Sequence, residues 1–288
     1  MKSRDKNFYK TFSKSPEKDR QQRINCPLCG SEKSKLVFDC SDYFFEKCSA
    51  CGLVFQNPRP SQEKLIDRYD EEYFNYEING EKSFFDLMVK GLDDVHFFDK
   101  SPVKGEDTFL DIGCAAGILI EYLEKRGWKT TGLEICRTSA EYGIKKREQN
   151  IKINTLEKES FPDSSFSFVH SSHVIEHVAD PRSFVREISR ILKPSGTAYI
   201  VTPNVNGLQA KIYKKNWRLC IADHVILFSR KTLKKLLKEE GFRIISVKTW
   251  GGLTKEAGHP LLKKILDPLS KKLGFGDVVM IAAGKIRA

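Results

Sequence analysis

The chain has 288 residues, a formal net charge of +11 and 40% hydrophobic residues, enough for one domain with a proper core plus a smaller unit. No apolar run reaches the length of a membrane span, and residues 1–23 are too charged to be a secretory signal. We therefore predict a cytoplasmic protein whose eight cysteines stay reduced.

The positive charge is concentrated at the two ends of the chain. Residues 1–25 contain eight Lys or Arg against three Asp or Glu, and residues 231–288 contain thirteen against five. A charge run is most often a solvated surface, and we predict that residues 1–22 form a basic flexible tail. RNA and an anionic membrane surface are the alternative partners for this charge.

Two C-x-x-C-G motifs follow the tail. They place Cys26 and Cys29 before Cys48 and Cys51, with 18 residues between the pairs, which is the spacing of a four-thiolate zinc site. Four sulfur ligands suit tetrahedral zinc and leave no open position for substrate or water. The motifs therefore predict a structural Zn²⁺ in a small ribbon over residues 23–58.

A linker rich in aromatic residues, 59–101, comes next. Ser61 is typical of a helix N-terminus, and apolar residues over 84–98 recur at helical spacing, so we predict two separate helices. One interpretation of the aromatic side chains is that they pack between the ribbon and the rest of the chain.

The run over residues 109–117 is the most informative part of the chain. Its apolar start predicts a buried strand, and Asp111 stands two places before the first glycine of a turn. Gly113 and Gly117 have no side chains, so a ligand can lie directly against the main chain there.

Glu134 narrows the class of ligand. A helix over residues 118–126 and a strand over residues 129–135 are predicted after the turn, and Glu134 stands near the end of that strand. A carboxylate in this position holds the ribose hydroxyls of an adenosine ligand in open α/β sheets. Ile118 argues against a dinucleotide, because it occupies the sixth position of the phosphate-binding pattern, where a small residue is needed.

The remaining chain alternates between strands and helices. The predicted elements are a strand ending at Ser172, a helix from Pro181, a strand over 197–202, a helix over 231–240 and strands over 242–250 and 278–285. A hairpin of the last two strands makes the final strand antiparallel. Residues 261–273 between them have helical spacing, and we expect this segment to pack on the domain rather than on a membrane surface.

In this order the motifs resemble those of class I S-adenosylmethionine (SAM) dependent methyltransferases. Residues 111–117 are similar to the D-x-G-x-G-x-G motif, with Ala115 in place of the middle glycine, and residues 173–181 are similar to the EH-V-x-x-P block. The resemblance implies a methyltransferase domain over residues 102–288. Its fold would be α/β: a Rossmann-like seven-stranded sheet with an antiparallel last strand and helices on both faces, preceded by the zinc ribbon. In similar enzymes the segment before the first strand covers the cofactor as a lid.

The resemblance also implies the cofactor, SAM, and the residues that contact it. These are Asp111, Gly113, Cys114, Ala115, Gly117, Glu134, Ile135, Ser171 and Ser172.

Two histidines are the candidates for taking a proton from the methyl acceptor. His177 belongs to the EH pair, and His224 lies in an insertion over residues 203–229, where α/β enzymes keep substrate specificity. His173 lies one helical turn before His177. An imidazole has a pKa suited to this role, so we predict His177 and His224 as catalytic residues. In the alternative interpretation His177 only orients a loop.

The ribbon and the EH block together resemble bacterial methyltransferases of sugar, glycan or lipid-precursor pathways. We therefore predict a small-molecule, sugar or lipid-linked acceptor. An RNA base methyltransferase is the alternative enzyme, since some ribosomal RNA guanine methyltransferases carry a four-ligand zinc domain before the same fold. Those enzymes typically have a proline-rich loop where this chain has residues 171–174. A SAM-binding or zinc-ribbon interaction module without catalysis is the third interpretation.

Overall fold

The computed structural model describes residues 21–61, 64–65, 71–103, 106–251 and 273–286. Within these ranges the strands are β1 (Gln21–Gln22), β2 (Ser34–Asp39), β3 (Phe44–Cys48), β4 (Val54–Gln56), β5 (Arg59–Pro60), β6 (Thr108–Ile112), β7 (Lys129–Glu134), β8 (Ile151–Ile153), β9 (Phe166–Ser172), β10 (Leu192–Pro203), β11 (Ile226–Leu227), β12 (Phe242–Trp250) and β13 (Val278–Lys285). The helices are α1 (Glu71–Asp94), α2 (Ile118–Glu124), α3 (Arg137–Arg147), α4 (Leu156–Glu159), α5 (Pro181–Ile191), α6 (Leu208–Tyr213) and α7 (Arg230–Glu239).

The described strands form a central seven-stranded sheet in the order β12-β13-β10-β9-β6-β7-β8. Strand β13 is antiparallel to both of its neighbours, and the remaining pairs of this sheet are parallel. The predicted Rossmann-like sheet with an antiparallel last strand is therefore confirmed. The carboxyl ends of β6, β7 and β9 meet at one edge, where open α/β sheets bind their ligands.

Both faces of this sheet are covered, as the apolar character of its strands requires. Successive residues of a strand point to opposite faces, and here they enter different cores. Phe109 belongs to an apolar cluster with Leu92 of α1 and Leu119 of α2. The next residue, Leu110, belongs to the cluster that contains Phe184 of α5.

A long helix, α1, covers most of the second helical run that was predicted in the linker. It runs unbroken over Glu71–Asp94, so it begins 13 residues before the predicted start at residue 84 and ends four residues before residue 98. The aromatic cluster at its start is part of the helix because Phe74 packs on Tyr142 of α3, with ring centroids 5.6 Å apart. Tertiary packing thus extends a helix whose own sequence shows no clear beginning.

Three predicted segments fall partly or wholly outside the described residues. Residues 1–20 of the tail, most of the helix predicted from Ser61 and residues 261–272 are among those not described. Gln21–Gln22, assigned to the tail from the sequence, forms β1 and pairs with β5. No helix in the described part of the chain is long and apolar enough to cross a bilayer.

The ribbon is continued by a strand from the distant insertion. Its sheet has the order β11-β4-β3-β2, with each neighbouring pair antiparallel. Strand β11 lies near the end of the 203–229 insertion, and its Ile226 pairs with Phe55 of β4. Arg182 Nε, at the start of α5, also donates a hydrogen bond of 2.7 Å to the Leu28 carbonyl. The ribbon and the domain of the seven-stranded sheet are therefore joined by the backbone pairing of β11 with β4 and by the Arg182 side chain.

Candidate functional site

The turn after β6 has the backbone that its glycines predict. Gly113 and Gly117 have φ values of +73° and +77°, and the Gly113 N–H donates to the Leu133 carbonyl at 2.8 Å. A Cβ added at Gly113 would overlap the Cγ2 atom of Val174. Ala115, at the place of the middle glycine, has φ +49°, a left-handed conformation that costs an alanine some strain.

Glu134 is held against this turn by two backbone donors. Its Oε2 accepts from the Ala115 N–H at 2.9 Å and its Oε1 accepts from the Cys136 N–H at 2.7 Å. Burial raises the pKa of the Glu134 carboxyl and these N–H groups partly offset the rise. Each carboxylate oxygen keeps a second lone pair for another donor. Ile135 directly follows it, so the structure brings these predicted cofactor residues together.

Asp111 has a partner that the sequence analysis did not single out. It is 2% exposed, and its Oδ1 lies 2.7 Å from Nδ1 of the fully buried His170. The two residues are register partners on β6 and β9. Because a carboxylate only accepts, Nδ1 of His170 carries the proton when Asp111 is ionised. The available signal was a histidine inside a predicted strand, His170 between Val169 and Ser171.

The end of β9 carries the two predicted serines. Ser171 is fully buried, and its hydroxyl has no hydrogen-bond partner within the described ranges. Ser172 is partly exposed and ends the strand. Since β9 neighbours β6, both residues lie on the same sheet edge as the glycine turn. A buried hydroxyl without a partner is a costly feature unless a ligand or water meets it.

Glu77 adds a second carboxylate near Glu134, and it comes from α1. Its Oε2 accepts a hydrogen bond of 2.7 Å from Ser139 Oγ of α3. Burial, together with the neighbouring Glu134 charge, raises the pKa of Glu77 to about 8. An ion pair also fixes α1 to α3, with Arg147 Nη2 lying 2.6 Å from Glu81 Oε1. No sequence pattern points to Glu77, because its burial depends on how α1 packs over α3.

The segment after β9 contains a buried carboxylate, Glu176. Its Oε1 lies 3.0 Å from Nδ1 of His173, and its Oε2 accepts from Thr202 Oγ1 at 2.9 Å. Burial alone would raise the pKa of Glu176, but the His173 hydrogen bond and the neighbouring imidazoles outweigh it and hold the pKa at about 2. Glu176 is therefore a buried anion.

His177 and His224 lie beside this anion and face each other. Their ring centroids are 4.8 Å apart in an edge-to-face arrangement. Nδ1 of His177 lies 2.9 Å from the Asp223 carbonyl, and Nδ1 of His224 lies 2.8 Å from the Leu219 carbonyl. A carbonyl only accepts, so each neutral ring carries its proton on Nδ1 and its lone pair on Nε2.

His224 gains a proton less readily than a free imidazole. It is 4% exposed, and burial followed by the charge of His177 lowers its pKa to about 3. The His177 side chain is partly exposed. Glu176, His177 and His224 each place one ligand atom within 4.8 Å of the others, which is the spacing of groups that can share a cation. The predicted pair is thus brought together.

The four predicted zinc ligands also meet at one point. The Sγ atoms of Cys26 and Cys51 are 3.5 Å apart, as are those of Cys29 and Cys48, and all four lie within 4.8 Å of one another. Tetrahedral zinc with bonds of about 2.3 Å separates its sulfur ligands by roughly 3.8 Å, so the donor set fits this ion. Burial raises the pKa of Cys48, but N–H groups of Cys51 and Ala50 outweigh it and lower the pKa to about 6.

A methyltransferase domain family matches residues 85–247, more than half of the chain. The chain belongs to this methyltransferase family. It is 33% identical over 127 residues to the ubiquinone biosynthesis O-methyltransferase of Idiomarina loihiensis, covering 41% of this chain and 49% of that protein. The mitochondrial ubiquinone biosynthesis O-methyltransferase of Dictyostelium discoideum is 34% identical over 119 residues, covering 36% and 37%. The chain thus spans about half the length of these curated relatives, or less.

Solved structures share the fold at low identity. A SAM-dependent methyltransferase of Thermotoga maritima, described as a possible histamine N-methyltransferase, has a TM-score of 0.55 and 22% identity, and covers 79% of this chain and 100% of that one. A SAM-dependent methyltransferase of Archaeoglobus fulgidus has a TM-score of 0.54 and 22% identity, covering 73% and 99%. These likenesses establish the architecture of the methyltransferase domain.

Proposed function

We propose that this methyltransferase transfers the methyl group of SAM to a small-molecule acceptor, and that the acceptor is a sugar, glycan or lipid precursor. The observation that carries the proposal is the joining of the glycine turn to Glu134 by the Ala115 hydrogen bond, at the sheet edge that also holds His177. The relatives named as ubiquinone biosynthesis O-methyltransferases support a small molecule over a macromolecule.

The cofactor binds along the carboxyl ends of β6, β7 and β9 in this proposal. The Glu134 carboxylate would accept hydrogen bonds from the ribose hydroxyls of SAM. It would use the lone pairs that the N–H groups of Ala115 and Cys136 leave free. Main-chain atoms of the turn lie against the ligand, where side chains would interfere. The residues assigned to this role are Asp111, Gly113, Cys114, Ala115, Gly117, Glu134, Ile135, Ser171 and Ser172.

Methyl transfer from a sulfonium is largely a matter of positioning. Bound SAM would supply an activated methyl group, and its transfer to the acceptor would leave the electron pair of the broken carbon–sulfur bond on sulfur. We assign the acceptor's proton to Nε2 of His177, because this ring is partly exposed and its Nδ1 is oriented by the Asp223 carbonyl. The Glu176 anion stabilises the imidazolium that forms, and the neutral His224 fixes the position of the His177 ring.

Binding and transfer are tested separately. SAM should raise the melting temperature of the protein and NAD should not, since only a ligand of the folded state stabilises it. Labelled SAM is then incubated with host extract that is divided into RNA, lipid, protein and small-metabolite fractions. We expect label in the small-metabolite or lipid fraction. Label in RNA would overturn the proposed acceptor, and stabilisation by NAD alone would overturn the cofactor.

We also propose that the four cysteines bind one structural zinc ion. Protein purified without chelator should contain about one zinc per chain, because all four coordination positions are filled by this chain. Cys48→Ser should lose the metal and lower the melting temperature, whereas Cys136→Ser, a buried cysteine outside the cluster, should keep it. Wild-type protein without zinc by elemental analysis contradicts the proposal.

A further inference from the structure

We infer that the ribbon positions the acceptor side of the site, and that Gln56 is the positioning residue through which it acts on His224. The inference rests on the proposed function, in which His177 and His224 face the acceptor. The ribbon here means residues 23–58, and the acceptor loop means residues 219–227, which carry His224.

The ribbon and the acceptor loop form one sheet. Ile226 pairs with Phe55 and Leu227 pairs with Val54, so the end of the acceptor loop is the edge strand next to β4. Tyr43 Oη, between β2 and β3, adds a hydrogen bond of 3.0 Å to the Cys220 carbonyl. The acceptor loop is therefore fixed to the ribbon at both of its ends.

Gln56 holds the middle of the acceptor loop, on either side of His224. Its backbone N–H donates to the Val225 carbonyl at 2.8 Å, and its side-chain Nε2 donates to the Ala222 carbonyl at 3.1 Å. The Gln56 side chain is fully buried. A buried side chain with two donors and an oxygen would be costly in an apolar core, so its presence indicates a specific polar contact.

The opposite side of the acceptor loop is held by the EH segment. The Glu176 carbonyl accepts from Val225 N–H at 2.9 Å and from Ile226 N–H at 3.1 Å, and the Asp223 carbonyl accepts from Nδ1 of His177. The loop thus lies between the ribbon and the two residues that shape the acceptor site. Loss of the hydrogen bonds from the ribbon to this loop would therefore let the Asp223 and Leu219 carbonyls move. These are the carbonyls that orient the imidazoles of His177 and His224.

The cysteine cluster closes the hairpin that carries Gln56. Cys48 ends β3, and its N–H donates to the Leu53 carbonyl at 2.8 Å, just before β4 begins. Metal bound to Cys48 and Cys51 fixes this turn, so zinc binding favours the register of β4 and with it that of β11. The side-chain hydrogen bonds of the cofactor residues Asp111 and Glu134 go to His170, Ala115 and Cys136, which lie outside the ribbon. Zinc and Gln56 should therefore act on the acceptor loop and leave SAM binding unchanged.

Amide hydrogen exchange and calorimetry on the full chain test this. Gln56→Met keeps the length of the side chain and removes its donor, and Gln149→Met is the matched control. Gln149 is also a buried glutamine with side-chain hydrogen bonds, but it lies beside Glu124 and Arg147, away from the ribbon. Loss of this buried hydrogen bond should speed exchange in the acceptor loop roughly tenfold to a hundredfold in Gln56→Met. The SAM dissociation constant should stay within about twofold in both variants.

Two further measurements keep the inference open to refutation even if Gln56→Met folds poorly. Zinc removal from the wild-type protein by a chelator should speed exchange over residues 219–227 while residues 108–134 stay protected. Imidazole nitrogen NMR should show the pKa of His224 rising toward its ordinary value after either treatment. Unchanged protection of the acceptor loop, or equal loss of protection over residues 108–134, overturns the inference. Failure of SAM to bind the wild-type protein overturns the proposed function instead.

Discussion

The two sides of the proposed site, the cofactor edge at the glycine turn and the acceptor edge at the two imidazoles, are assembled in different ways. The cofactor edge comes largely from one stretch, residues 109–136, in which the turn and Glu134 hydrogen-bond across 19 positions. The acceptor edge joins Gln56, Glu176 and His224, and Gln56 reaches a carbonyl 166 positions away. Short-range contacts leave a readable pattern in the sequence, and long-range contacts do not. The two edges should also respond to different substitutions.

The substitution His177→Asn is expected to have the largest effect, and this effect should be confined to the acceptor edge. Removing the proposed proton acceptor should lower the rate of methyl transfer by about 10²–10⁴-fold while leaving SAM affinity unchanged. The rate of methyl transfer is measured as label from SAM in the extract fraction that becomes methylated. The SAM affinity is measured by calorimetry. His96→Asn is the control, because His96 is exposed and its ring contacts Asp99 rather than Glu176 or His224. A wild-type rate in His177→Asn would place the base elsewhere.

A smaller effect, confined to the cofactor edge, is expected from Gly113→Ala. The left-handed backbone and the overlap with Val174 together should cost roughly 2–4 kcal/mol, or about 30-fold or more in SAM affinity. Gly241→Ala is the matched control, since Gly241 has φ +84° but no atom within 4 Å of an added Cβ. Calorimetry should show normal SAM binding in the control.

A second substitution decides whether the overlap is the cause. Val174→Ala in the Gly113→Ala background removes the Cγ2 atom and should restore part of the SAM affinity, leaving the strain of the left-handed backbone. Normal SAM binding by Gly113→Ala alone would show that the turn moves freely, and the cofactor edge would then be less rigid than its hydrogen bonds indicate.

Much of the fold was predictable from local patterns. Most of the predicted strands and helices and the meeting of the four cysteines follow from periodicity, glycine positions and fixed spacing, whereas the seven-stranded sheet follows from the resemblance to class I methyltransferases. The unbroken α1 was not predictable, because its first turns are helical through packing on α3. The pairing of β4 with β11 was not predictable either. Strand β11 has two residues, too few for a periodic pattern, and β4 lies in a distant part of the chain.

The candidate site divides in the same way. The nearness of Glu134 to the turn was predicted from its place at the end of the second strand. The Asp111–His170 contact depends on the register between β6 and β9, across 59 positions, and no residue pattern specifies that register. His177 and His224 were predicted separately, and the structure adds that each ring is oriented by a backbone carbonyl.

The smallest expected effect is that of substituting Glu77. This residue belongs to the cofactor edge but comes from α1, and its partner Ser139 is 62 positions away. Its folded-state pKa of about 8 lies above the ordinary value of 4.5, so folding takes up a proton between these two pH values. Stability contributed by the protonated group is complete below about pH 4.5 and is lost as the pH rises toward 8. Glu77→Gln mimics the protonated form, so its melting temperature should gain several degrees on the wild type between pH 5 and pH 8. Glu72→Gln, on the exposed first turn of the same helix, should run parallel to the wild type. Parallel curves for Glu77→Gln as well would mean that α1 leaves Glu77 open to water, and the cofactor edge would then be entirely local.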